Sequence, residues 1–191
     1  MALKPGERKT QILQTLATML EQPQGEKITT AALAAKVGVS EAALYRHFAS
    51  KAQMFEALIE FIEASVFTLV NQIAQTERDG RAQVQQIVSM LLNFAEKNPG
   101  MVRVLIGDAL VNEDARLQVR INQLVDRVES SLKQALQLVS VASAGAASAS
   151  TAAHANALTA FVVGRWQLYA KSGFKRTPSE YWTEQAALFR V

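Results

Sequence analysis

Residues 28–51 read Ile-Thr-Thr-Ala-Ala-Leu-Ala-Ala-Lys-Val-Gly-Val-Ser-Glu-Ala-Ala-Leu-Tyr-Arg-His-Phe-Ala-Ser-Lys, and this stretch decides the fold. Thr29 or Thr30 suits the N-cap of a short helix, because its hydroxyl accepts from a backbone amide that has no helical partner. Val37-Gly38-Val39 is a tight turn in which Gly38 supplies a positive φ. Ser40 caps a second short helix, predicted to run to about Phe48, and Glu41 puts negative charge near its positive end. Leu33, Ala34, Val37, Val39 and Leu44 fall where the two helices must pack, and the alanines of the first permit close approach. Two short helices about a glycine turn make a helix-turn-helix. The second helix keeps one face outward, the shape that enters a major groove about 12 Å wide.

On or beside that face lie Ser40, Glu41, Ala43, Tyr45, Arg46 and His47. Arg46 and His47 can donate to base edges or phosphates, and Tyr45 can stack or donate to phosphate. Thr29, Ser40 and Lys51 stand at helix N-termini, where backbone amides attract phosphate. Phe48 and Phe55 read as core.

Outward from the motif, apolar steps of three and four recur at Ile12, Leu13, Leu16, Met19 and Leu20, predicting a helix from Glu7 to Glu21 after a loose arm at 1–6. Ser50 caps a long helix from Lys51 to about Gln75. Further helices are expected at Arg81–Lys97, Gly100–Val111, Asp114–Val139, His154–Lys171 and Ser179–Phe189. The 140–153 tract is Ala, Ser, Gly and Thr, and reads as a flexible connector, with frayed helix as the alternative. The sequence shows no internal repeat and no alternating strand pattern, so the fold class is all-α: a head at 1–50 on a helical body at 51–191. The stripe Leu117, Ile121, Leu124, Val128, Leu132 and Leu136, with Leu158, Phe161, Val162, Trp166 and Leu168, is richer than a small body needs, which predicts a homodimer through these helices.

The 191 residues are 49% hydrophobic and 19% charged, the balance of an ordinary globular chain. The absence of cysteine excludes disulfides and thiolate zinc sites. With His47 and His154 as the two histidines, an enzyme has few candidate bases, and neither a metal site nor a cofactor is expected. His154 reads as a solvated residue near a helix start. No run approaches ~18 continuous apolar residues, so no membrane span is expected and a cytosolic location follows. The net charge is +3. The first ~50 positions carry Lys4, Arg8, Lys9, Lys27, Lys36, Arg46 and Lys51 against four glutamates, a modestly basic surface suited to double-stranded DNA.

From Glu7 to Leu58 the chain resembles the DNA-binding head of TetR-family regulators, with Thr29, Ser40, Tyr45, Arg46, His47 and Lys51 at DNA-facing positions. Leu58-Ile-Glu-Phe-Ile-Glu63, Asn98-Pro-Gly100 and Arg116-Leu-Gln-x-Arg-Ile-Asn-Gln-Leu124 carry the resemblance into the body, toward the nucleoid occlusion factors of that family. It implies a two-fold dimer on palindromic chromosomal sites that disrupts polymers of the tubulin-like division protein FtsZ. It further implies a groove for the FtsZ C-terminal tail at Phe61, Leu69, Met90, Asn93, Lys97 and Asn98, with Lys97 meeting an acidic tail residue. After about Leu138 the Ala/Ser tract departs from the pattern. The competing reading is a ligand-responsive TetR-type repressor with a body pocket near Phe94, Phe161, Trp166 and Tyr169.

Overall fold

The computed structural model describes residues 5–22, 28–142 and 148–191, and among them the architecture is all-α. The helices are α1 (Pro5–Leu20), α2 (Thr30–Val37), α3 (Glu41–Tyr45), α4 (Lys51–Thr76), α5 (Gly80–Lys97), α6 (Pro99–Leu105), α7 (Ala115–Ala142), α8 (Ser148–Lys171) and α9 (Trp182–Leu188). A short 3-10 turn, Asp108–Leu110, follows α6.

The caps that the sequence offers are made. The Thr29 hydroxyl accepts from the Ala32 amide at 3.1 Å, Ser40 from Ala43 at 3.2 Å and Ser50 from Gln53 at 3.2 Å. Gln53 reaches back to accept from the Ala49 amide, in the manner of a capping box. Gly38 ends α2 at φ 79, ψ 37, a left-handed geometry that costs glycine little.

Ile12, Leu16, Leu33, Leu44, Met54, Phe55 and Leu58 are fully buried, so α1 and the start of α4 clamp the α2–α3 pair. The same apolar cluster continues through α5 and α7 to Trp182 and Ala186 on α9. α4 is long and apolar enough to cross a membrane by composition, yet its apolar side is the core stripe Met54, Leu58, Ile62 and Val66. Two of its glutamates meet α7: Glu56 pairs with Arg116 at 2.9 Å, and Glu63 accepts from the Nη2 and Nε of Arg120, at 2.7 and 3.2 Å. The Glu63 carboxylate, hydrogen-bonded to Arg120, raises that guanidinium's pKa above its usual value.

Several boundaries differ from expectation. The first helix starts at Pro5, and the expected Gln22–Gly25 turn lies largely outside the described residues. The recognition helix closes at Tyr45, and Arg46–His47 form a turn in which His47 and Phe48 both donate to the Leu44 carbonyl. The Gly100–Val111 helix divides into α6 and the 3-10 turn, with Gly107 left-handed between them. The last helix starts at Trp182.

Two expectations are corrected. The 140–153 tract is helical on both sides, α7 running to Ala142 and α8 starting at Ser148, while 143–147 lie outside the described residues. Alanine favours helix, and buried Thr151 and Ala155 show that packing stabilises the start of α8. His154 consequently sits half-buried inside a helix. The α7 stripe is also not a dimer surface: Leu117, Ile121, Leu124, Val128, Leu132 and Leu136 are each at most 6% exposed within one chain. α7 packs most extensively on α8, which brings Leu158, Val162 and Trp166 into the same core.

Candidate nucleic-acid interface

The α2–α3 pair is held by a hydroxyl relay as well as by its core. Thr30, the first residue of α2, donates its hydroxyl to the Glu41 carboxylate at the start of α3. The Tyr45 phenol donates back to the Thr30 oxygen at 3.4 Å. Glu41 and Tyr45 are therefore tied to the neighbouring helix, and Glu41 acts on the angle of α3. Buried Leu44 fixes the rotation of α3 about its axis.

This rotation leaves Ser40, Tyr45 and Arg46 exposed and Ala43 and His47 half-buried on one side, with Thr29 exposed at the start of α2. Arg46 offers a guanidinium that can span two acceptors, and His47 adds a neighbouring ring donor. Lys51 stands apart from this set. Its ammonium is paired with Glu113, 62 residues away, and lies over the Phe55 ring at 5.7 Å.

The second set of sequence-predicted residues spreads over two helices. Phe61 and Leu69 are 48% and 40% exposed on one side of α4. Met90 and Asn93 instead line a cleft of about 490 Å³ with Gln85, Gln86 and Ser89 of α5 and Trp182, Thr183 and Ala186 of α9. Lys97 is exposed at the end of α5, and half-buried Asn98 donates to the Phe94 carbonyl at 2.8 Å, closing the helix.

The body aromatics considered for a ligand pocket use their polar groups internally. Trp166 donates its ring N–H to the Leu91 carbonyl at 3.2 Å, and the Tyr169 phenol donates to the Glu96 carbonyl at 3.4 Å. Phe161 packs at a tilt on Trp182 and edge to face on Phe189, at 5.5 and 5.1 Å between ring centroids.

Comparison with known proteins places these features. Residues 17–58 match the bacterial regulatory proteins of the tetR family, and residues 78–191 match the SlmA-like, Tetracyclin repressor-like C-terminal domain. The chain is 52% identical to the "Nucleoid occlusion factor SlmA" of Marinomonas sp. (strain MWYL1), over 97% of this chain and 94% of that one. It is 50% identical to the protein of the same name from Alteromonas mediterranea, over 99% and 97%. The chain belongs to the SlmA family of nucleoid occlusion factors. In fold it is similar to the fatty acid degradation regulator FadR from Bacillus halodurans, with TM-score 0.81 at 13% identity over 98% of this chain and 96% of that one. Such identity speaks for the fold alone. Members of the SlmA and tetR families are DNA-binding regulators, and the exposed Ser40, Tyr45 and Arg46 lie in the matched tetR segment.

Within this SlmA-type frame the structure adds residues that sequence reasoning missed. Thr30 had a signal as the alternative N-cap, a role that Thr29 fills, but its partners Glu41 and Tyr45 follow 11 and 15 positions later. Glu113 had none, because its contact with Lys51 arises from how α7 meets α4. Trp182, Thr183 and Ala186 join the α5 cleft through packing of the last helix.

Proposed function

We propose that residues 1–50 read a palindromic duplex site, and that residues 51–191 carry the dimer contact and a surface for the C-terminal tail of FtsZ. Bound to the nucleoid in the cytoplasm, the protein breaks FtsZ polymers and keeps division off unsegregated DNA. What carries this reading is that the likeness to proteins named nucleoid occlusion factor runs through the body as well as the helix-turn-helix. In it Arg46 and His47 contact base edges or phosphates, Tyr45 and Ala43 line the face, and Thr29 and Ser40 hold the backbone, with Lys51 beside them in its pair with Glu113, while Glu41 positions α3. The test is cosedimentation of FtsZ polymers with the protein, with and without genomic fragments selected for binding. Polymer loss that requires bound DNA supports nucleoid occlusion; intact polymers in both arms reject it.

The dimer rests on α8. Its outward face carries exposed Ala153, Ala157 and Ala160 and the partly exposed Gly164, with Leu168 41% exposed beyond them. Small side chains let two copies approach closely, and an isologous contact suits a palindrome. Light scattering at micromolar concentration is expected to return twice the 20.8 kDa chain mass. A one-chain mass would count against it.

The tail surface is tested by Lys97→Glu and Phe61→Ala. A short tail must offset its ordering entropy with a few strong contacts, and an extended tail would take its apolar anchors from Phe61 and Leu69 on α4 and from Met90 on α5, with Lys97 as the charge. Lys97 and Phe61 are both exposed, so neither change hollows the core. Each variant should keep operator binding within about threefold, roughly 0.7 kcal/mol, and should fail to disrupt FtsZ polymers. Polymer disruption equal to the unmodified protein by either stable variant removes that residue from the surface.

A further inference from the structure

Lys51 opens α4 directly after the recognition helix and its turn, and its partner comes from far along the chain. Glu113 lies in the link between the 3-10 turn and α7. Its backbone is fixed there: Asn112 is left-handed at φ 66, and the Glu113 amide donates to the Leu110 carbonyl at 3.0 Å. The pair is sheltered, with 22% of the Lys51 side chain and 12% of the Glu113 side chain exposed. Lys51 also shares a crevice with Ile28, Thr29, Thr30 and Leu33, so it sits beside the N-terminus of α2, where Thr29 is exposed. The neighbouring acids are engaged elsewhere: Glu56 at 2.9 Å and Asp114 at 3.4 Å, both by Arg116.

We propose that Glu113 is an affinity-setting residue for duplex DNA: in the free protein its carboxylate holds the Lys51 ammonium that a backbone phosphate would otherwise take. The proposal rests on the DNA-binding reading above. A sheltered ion pair is screened by salt less than an exposed one, so it persists at ionic strengths where surface pairs fade. Lysine has three donors, and the Lys51 ammonium can approach a phosphate without leaving Glu113. The pair as a whole is neutral, however, and a neutral pair releases no counterion from the duplex. Glu113 thereby keeps Lys51 out of the non-specific electrostatic contribution, which leaves more of the discrimination to Arg46 and His47.

Glu113→Gln retains the shape and removes the charge. Binding to random-sequence duplex is expected to tighten about three- to tenfold at low salt, and the log–log salt slope to steepen by about 1. Lys51→Ala is expected to reverse both effects in the Glu113→Gln background, so that the double variant, neutral like the native pair, keeps the affinity and slope of the unmodified chain. Equal affinity and slope for the unmodified protein and a normally melting Glu113→Gln overturn the proposal. Should Glu113→Gln not fold, the doubly neutral Lys51→Met/Glu113→Leu variant decides, since a slope shallower by about 1 than that of the unmodified chain means that Lys51 already neutralises a phosphate. Arg46→Glu is the control for the underlying reading. If it leaves duplex affinity unchanged, the docking face is wrong and the Glu113 proposal falls with it.

Discussion

Arg46→Glu is expected to lower affinity for a selected operator by about 100-fold, roughly 2.7 kcal/mol, while leaving the melting temperature nearly unchanged. α3 is five residues long, so few side chains can reach a base edge from it. Leu44 faces the core and Glu41 is held by Thr30, which leaves Arg46, just past the helix end, as the long cationic side chain of the exposed face. A well-made arginine contact to a guanine edge contributes ~1–3 kcal/mol. The reversal removes that contact and sets a carboxylate against the phosphate field. Because Arg46 is exposed, the change should alter folding by no more than about 0.5 kcal/mol. Fluorescence anisotropy at one fixed salt concentration, with a melting curve beside it, decides the matter. Unchanged affinity in a folded protein would move the DNA face away from α3.

The helix-turn-helix was legible because its signals are local. Thr29, Gly38, Ser40 and Ser50 each satisfy or redirect a backbone group within four residues, so their roles follow from spacing alone. The α7 stripe was legible as a buried face for the same reason, but its partner was not. Periodicity says that Leu117 to Leu136 must be covered and is silent on whether the cover is the same chain or a second copy. Here α8 supplies it. The start of α8 was misread because Ser, Gly and Thr lower helix propensity, whereas buried Thr151 and Ala155 gain tertiary contacts that no local scale contains. The end of α3 was overestimated because Phe48 looked like a continuing apolar position. It is buried, but from the turn that follows the helix. Phe61, Leu69, Met90 and Asn93 share helical spacing, yet they face different neighbours, since the exposed side of α5 opens toward α9. Long-range charge pairing, as between Lys51 and Glu113, leaves no pattern in a single sequence at all.

Gly100→Ala is expected to destabilise the protein by about 3 kcal/mol and to weaken DNA binding without touching the DNA face. Asn98-Pro99-Gly100 reads in the sequence as a helix stop and turn. In the structure Pro99 begins α6, where a missing amide costs nothing, and Gly100 lets α6 lie directly on α1. A Cβ at this position would sit 1.9 Å from the Ala17 carbonyl oxygen and 2.8 Å from its carbon. Both atoms belong to the α1 backbone, so no rotamer change relieves the clash and one helix must move by more than 1 Å. Overpacking of this kind typically costs ~1–3 kcal/mol, and a backbone obstacle places it at the upper end. For a chain of this length each kcal/mol lowers the melting temperature by about 2–4 °C, giving a fall of about 6–12 °C. The same displacement shifts α1, on which α2 packs, and α2 carries α3, so it disturbs the aim of Arg46. Gly38→Ala is the informative comparison. Its Cβ would meet nothing within 4 Å and pays for φ +79 alone, about 1 kcal/mol. A larger loss at Gly38 than at Gly100, read from paired thermal melts, would mean that α6 does not rest on α1 in solution and that the route from the body to the DNA-reading helices runs elsewhere.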